Sequence, residues 1–211
     1  MTEERGVVLI GYSGHGLVAA DILQLIGFSL IGYCDEEEKQ VDPFGLPYLG
    51  KERSPSAKEV MLNNGWFVAI GENRIRERIT LEMVESIRKV PVQAIHPASI
   101  RASSVTFGPG VMIAAGAVLN PLVTLGKGVI INTAAILDHE CRVGAFSHIA
   151  PGAVLAGNVT VGERSFIGAN AVIKQGVRIG DDVIIGAGSV IIRDILSGTK
   201  VAGNPARLLP S

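Results

Sequence analysis

The chain has 211 residues, a formal net charge of −1 and only 18% charged residues. A near-neutral chain has no electrostatic footprint for nucleic acid or for an anionic membrane surface. No apolar run is long enough for a membrane-spanning helix, and the acidic start MTEERG lacks the features of a signal peptide. With two cysteines and no disulfide framework, these features predict a soluble cytoplasmic protein.

VVLIGY (7–12) is a continuous apolar run, as expected for a parallel strand covered on both faces. Gly11-Tyr12-Ser13-Gly14-His15-Gly16 follows, then LVAADILQLIG with helical spacing. SLIGYCD (29–35) predicts a second strand ending in Asp35, with Cys34 at the strand end. Residues 43–55 are loop-rich, and SAKEVMLNN predicts a helix. WFVAIGEN (66–73) is a third apolar strand ending in Gly71. RIRERITLEMVESIRK is a charged amphipathic helix, and VQAIHP closes the unit at Pro97. Strand, glycine turn, helix, strand, acid is the beginning of a doubly wound α/β domain. Residues 1–97 therefore predict a small Rossmann-like, nucleotide-binding subdomain.

The glycine loop spells G-x-x-G-x-G, which is not the dinucleotide fingerprint G-x-G-x-x-G. Two readings of it stand. Its backbone N–H groups at a helix N-terminus suit an anion. Alternatively, its glycines only let helix and strand pack closely. Asp35 favours a ligand, because a carboxylate there can accept hydrogen bonds from a ribose or a base edge.

From Val105 to Ile195 the pattern changes to a period of six. Every sixth residue from Phe107 is large and apolar, through Ile113, Leu119 and Leu125 to Ile191. Two places earlier runs a column of small or β-branched residues that includes Cys141, which predicts a packing role for that thiol. This is the signature of a parallel β-helix of short strands and tight turns. Glycine recurs just after the aliphatic, at Gly108, Gly126, Gly144, Gly162, Gly168, Gly180 and Gly186, as if to supply unusual φ at the corners. Three hexapeptides make one triangular coil, so Ile113, Ile131, Ile149, Ile167 and Ile185 stack, and about five coils are expected. A core one side chain wide offsets little of the entropy of ordering the chain, which favours an oligomer.

Polar residues that break this pattern concentrate in Asn132-Thr133-Ala134-Ala135-Ile136-Leu137-Asp138-His139-Glu140. His139 falls two places after the inward Leu137, and His148 just before the inward Ile149, so both point outward. They are half a coil apart and project from different faces of one prism. A solitary outward histidine is ordinarily a solvated surface residue. Two of them, with Asp138 and Glu140 beside His139, suggest chemistry.

IGYSGHGLV, CDEE, AIGENRIRE, INTAAILDHECRVGAFSH and AGNPAR, in that order, make the chain resemble the sialic-acid O-acetyltransferase (NeuD) family of hexapeptide acyltransferases. Within that family it is most similar to PglD-type enzymes, which acetylate the 4-amino group of a UDP-linked amino sugar. The resemblance implies a left-handed parallel β-helix over residues 98–211, a homotrimer, and a role in glycan biosynthesis on a bacillosamine-type sugar. It implies His139 as general base with Glu140 as its polarising partner. It implies that His148 contacts the acetyl group of acetyl-CoA, and that Ala169 and Ala187 offer backbone contacts to the pantetheine arm. Ser13, Gly14 and His15 would hold the phosphates or sugar, Asp35 and Glu36 the nucleoside, with Gly71 lining the same site. Glu36 stands where relatives often have Asp, which leaves the nucleotide base open.

The implied chemistry needs no metal, because the thioester of acetyl-CoA is already activated. A neutral histidine accepts a proton at pH 7, and a carboxylate on its other nitrogen stabilises the imidazolium. Rival readings fare less well. A γ-type carbonic anhydrase needs three histidine ligands, and the prism offers His139 and His148. A purely structural β-helix would have flat threonine-rich faces and no nucleotide-like domain. The remaining alternative is an O-acetyltransferase of the sialic acid type.

Overall fold

The computed structural model describes residues 5–209. It divides into two compact units, one ending at Pro97 and the other beginning at Ala98.

The first unit holds β1 (Arg5–Ile10), α1 (Gly14–Leu25), β2 (Phe28–Cys34), α2 (Pro55–Asn63), β3 (Gly65–Val68) and α3 (Asn73–Ile87). The strands form a parallel sheet in the order β2-β1-β3. Val8, Ile10 and Val68 face a core shared with Ala57 and Met61 of α2 and Ile79, Met83 and Ile87 of α3. Val7 and Leu9 alternate to the opposite face, where α1 packs on β1 and β2. Burial on both faces explains why VVLI is continuously apolar. The helix starts are capped in two ways. Ser54 accepts from the N–H of Ala57 before α2, and the Glu72 carboxylate accepts from Arg74 and Ile75 before α3.

The second unit is a parallel β-solenoid in which each hexapeptide contributes a two-residue strand. Strands pair with an offset of eighteen residues: Ile131 with Ile149, Leu137 with Leu155, Val143 with Val161. One face carries six such strands, from Ile100–Arg101 to Val190–Ile191, so the solenoid has about six turns rather than five. The extra turn arises because Ile100–Arg101 already pairs with Val118–Leu119, ahead of the regular repeat. The aliphatic columns are buried, with Ile113, Ile131, Ile149, Ile167 and Ile185 fully enclosed. Three serines also sit in the inner column. Ser147 and Ser165 satisfy their hydroxyls on the backbone of the next coil, donating to Gly162 and Gly180.

The corners correct one expectation. The glycines just after each aliphatic do not have positive φ. Left-handed backbone falls three places after each aliphatic, every six residues from Gly110 to Gly188, and is occupied there by Leu122, Glu140, Phe146 and Asn158 among others. The glycines serve close approach instead. A Cβ on Gly126 would come within 2.6 Å of Ala145 N, and one on Gly144 within 2.6 Å of the Gly162 carbonyl carbon. Coils stack at strand spacing, so these corners leave no room for a side chain.

Candidate active site

In the first unit the candidate residues gather where β1 and β2 end. Gly11, at φ 92°, turns the chain, and its N–H donates to Cys34 O at 2.8 Å. Ser13 precedes α1 without a side-chain cap bond. The two readings of the loop divide by residue. A Cβ on Gly16 would meet Gly11 O at 2.7 Å, so Gly16 is required for packing. A Cβ on Gly14 would meet nothing within 4 Å, and its φ is ordinary. Ser13 and Gly14 are exposed at the mouth of the loop. His15 is half-buried, and Gly71 lies beside it, with its Cβ direction 3.9 Å from His15 Cγ. Burial, with help from the Arg76 charge, lowers the His15 pKa to about 4. His15 is therefore neutral at pH 7.

Asp35 has a bond that sequence reasoning did not foresee. Its Oδ2 accepts the Tyr12 N–H at 2.9 Å, and its Oδ1 accepts the Glu36 N–H and pairs with Lys39 at 3.0 Å. The carboxylate thus holds the glycine loop in place. Glu36 is exposed and paired with Lys51 at 2.5 Å, which keeps its carboxyl below the usual range. Tyr12 stacks on Tyr33 with centroids 4.3 Å apart and donates to Asp42 at 2.6 Å. A small cavity of about 170 Å³ opens among Gly11, Asp35, Glu36, Glu52 and Arg78. Arg76, 2% exposed, donates to the carbonyls of Ile70 and Gly71 and to Asn73 Oδ1, all near 3 Å. It fixes the turn that carries Gly71. Tyr12 and Arg76 had no separate sequence signal beyond their places in YSGHG and ENRIRE.

In the solenoid, His139 occupies a corner between the strands Ile136–Leu137 and Arg142–Val143. Its Nδ1 lies 3.0 Å from Glu140 Oε2, and both side chains are about half exposed. Glu140 is at the left-handed corner position (φ 61°), which turns its carboxylate back toward the preceding residue. The backbone of the corner is tied on both sides: Glu140 N–H donates to Pro121 O, and His139 O accepts from Asn158 N–H. With Glu140 accepting, the proton sits on Nδ1 and Nε2 carries the lone pair.

His148 points out from the prism, as its alternation with Ile149 requires, yet it is only 7% exposed. Its ring meets the edge of Phe166 at 5.2 Å, and its Nε2 lies 3.1 Å from Asn132 Nδ2. Asn132 Oδ1 accepts the Thr133 N–H, so the amide nitrogen is the end that faces the histidine. The His148 Nε2 is then an acceptor. Ala169 and Ala187 share one corner column and pair through Gly188 N–H to Ala169 O at 2.8 Å. His139 sits at the corner between two of the three solenoid sheets, and His148 lies on the third. Cys141 is fully buried, its Sγ 3.2 Å from Ala156 O, and burial raises its pKa to about 11. A thiol so placed is no nucleophile.

A parallel solenoid of hexapeptides with a histidine–carboxylate pair on a corner, attached to a small α/β unit, defines a hexapeptide acyltransferase. Residues 6–83 match the PglD N-terminal domain, and residues 140–175 and 158–193 match the bacterial transferase hexapeptide (six repeats). The acetyltransferase domain of PglB from Neisseria gonorrhoeae, solved with acetyl coenzyme A, is 37% identical, with a TM-score of 0.88 over 98% of this chain and 100% of that one. PerB from Caulobacter crescentus, solved with CoA and GDP-perosamine, is also 37% identical, with a TM-score of 0.89 over 97% of each chain. WeeI from Acinetobacter baumannii, at 23% identity and a TM-score of 0.82 over 96% of this chain and 99% of that one, shares the fold. No curated protein matches the chain. The chain belongs to the family of hexapeptide acetyltransferases that carry a PglD-type N-terminal domain.

Proposed function

We propose that this protein transfers the acetyl group of acetyl-CoA to the 4-amino group of a nucleotide-linked amino-deoxysugar, with His139 as general base. The reading rests on the His139–Glu140 pair, 3.0 Å apart on an exposed corner. It is supported by relatives that bind acetyl-CoA, or CoA together with GDP-perosamine. A histidine-to-alanine form of the Caulobacter enzyme, solved with both CoA and GDP-perosamine, is 36% identical to this chain.

His139 Nε2 takes the proton as the sugar nitrogen bonds to the thioester carbonyl carbon, and Glu140 stabilises the imidazolium through Nδ1–H. A backbone N–H holds the oxyanion. As the C–S bond breaks, the proton passes from His139 to the departing CoA sulfur, which restores the neutral base. His148 contacts the acetyl group, and the backbone of Ala169 and Ala187 the pantetheine arm. Ser13, Gly14 and His15 hold the phosphates or sugar, and Asp35, Glu36 and Gly71 border the nucleoside. Gly14 supports this part of the reading, because neither packing nor φ accounts for it. UDP is the nucleotide favoured by the PglD-type motif, and the sugar is of the bacillosamine kind. The enzyme works as a cytoplasmic homotrimer. No helix among the described residues is long and apolar enough to cross a membrane.

The test is incubation with acetyl-CoA and a panel of UDP-, GDP- and dTDP-linked 4-amino sugars, following thiol release. Fastest turnover is expected with a UDP-linked amine. Preference for a GDP or dTDP sugar would overturn the choice of nucleotide. Acetylation of a hydroxyl, with amines inert, would favour the sialic acid type of reaction. His139→Ala is expected to lower kcat by roughly 10²-fold or more in a folded protein.

A further inference from the structure

Gly157 lies one coil on from His139, in the same corner column. A Cβ on Gly157 would come within 2.5 Å of both Cε1 and Nε2 of the His139 ring. No other atom besides the imidazole comes that close: the three nearest are all ring atoms, Cδ2 being at 3.2 Å. Gly157 has no positive φ, so conformation does not demand glycine there. The column accepts side chains elsewhere, with Ser103, Pro121 and Gln175 at the equivalent corners. Most corner glycines of the solenoid are explained by the backbone of the next coil or by left-handed φ. Gly157 is explained by neither.

We infer that Gly157 is a positioning residue, a flat seat on which the His139 imidazole rests with Nδ1 turned to Glu140. The role rests on the assignment of His139 as general base. The backbone on either side of the seat is already fixed, because Asn158 N–H donates to His139 O at 2.8 Å and Gly176 N–H to Gly157 O at 3.0 Å. The coil therefore cannot retreat from a new methyl group, and the ring must. An imidazole is the free end of a side chain, so it moves by χ rotation at small cost to stability. Its displacement breaks the alignment on which proton transfer depends.

Gly157→Ala is the test, read in two ways. The kinetic expectation is a fall in kcat of about 10- to 100-fold, with KM for both substrates little changed and Tm within a few degrees of the parent. The second readout needs no activity. Long-range ¹H–¹⁵N spectra of the ring are expected to show His139 protonated at Nδ1 in the parent and to lose that single tautomer in Gly157→Ala. An unchanged ring spectrum would overturn the seat, whatever the kinetics. A changed spectrum with normal kcat would uphold the seat and overturn His139 as the base instead. A smaller loss is expected from Gly157→Ala in a Glu140→Ala background, because the pair to be misaligned is gone. A full loss in that background would count against the proposal.

Discussion

Asn120 and Asp138 meet across one coil of the solenoid, with Asn120 Nδ2 donating to Asp138 Oδ1 at 2.8 Å. The same oxygen accepts the His139 N–H, also at 2.8 Å. A residue outside the DHE motif thereby orients the carboxylate that orients the candidate base. These bonds, Asn120 first, hold the Asp138 pKa below the ordinary carboxylate range. The folded-state value is depressed, so the tie is complete above the usual carboxylate pKa and is lost only as pH falls through the lowered one. Asp138→Ala is expected to lower kcat about 10-fold through misplacement of the base, and Asn120→Ala to act in the same direction but less. Between pH 5 and 8 the kcat profiles of the parent and Asp138→Asn are expected to have the same shape. An acid limb that vanishes in Asp138→Asn would show Asp138 itself titrating in catalysis.

Asp35 grips the Tyr12 N–H from the end of β2, so its loss loosens the glycine loop as well as any nucleoside contact. Asp35→Ala is expected to raise KM for the sugar nucleotide roughly 10-fold while leaving acetyl-CoA affinity unchanged. Isothermal titration with each substrate separately checks this. A fall in acetyl-CoA affinity alone would mean that the roles of the two units are reversed.

His15 is held neutral, with a pKa lowered to about 4 by partial burial and then by Arg76. The unfolded chain titrates near 6.5, so between about 6.5 and 4 it binds more protons than the folded one. Stability from this group is therefore complete above pH 6.5 and falls as pH drops toward 4, by at most roughly 1.4 kcal/mol per pH unit. Urea denaturation at pH 7 and pH 5 is expected to show a smaller loss in His15→Gln than in the parent. Equal losses would place the acid sensitivity elsewhere.

His139 and His148 stand on different faces of one prism, and the proposed chemistry needs both at the acetyl group. Under the proposed function, a neighbouring prism is expected to supply one of them. Subunits carrying His139→Ala and subunits carrying His148→Ala are each expected to be nearly inactive alone. Mixed after dissociation, they are expected to recover a fraction of parental kcat from clefts that join two intact histidines. Mixed oligomers that form without recovery would assign each site to a single chain.

Much of this architecture could be read directly from residue spacing. The period of six names the aliphatics that are buried and the strands that stack, because a strand's side chains must alternate and each coil repeats the same environment. The strand–turn–helix order of the first unit is equally local, since each apolar run and each helical spacing carries its own signal. His139 and Glu140 are adjacent in sequence, so their pairing needed only a corner to bring Nδ1 to the carboxylate. The purpose of the glycines was not legible. The spacing does not say what each glycine meets: Gly126 makes room for backbone and Gly157 for an imidazole. Asp35 was expected to face a ligand, and the structure shows it bracing Tyr12, from which it is separated by a whole strand and helix. Asn120 holding Asp138, Asn132 facing His148 and Arg76 behind Gly71 are all contacts of this second kind. Periodicity reports which face a residue occupies, because that depends on its neighbours along the chain. Which side chain it meets there depends on coils and strands brought together across many residues, and only the folded chain decides that.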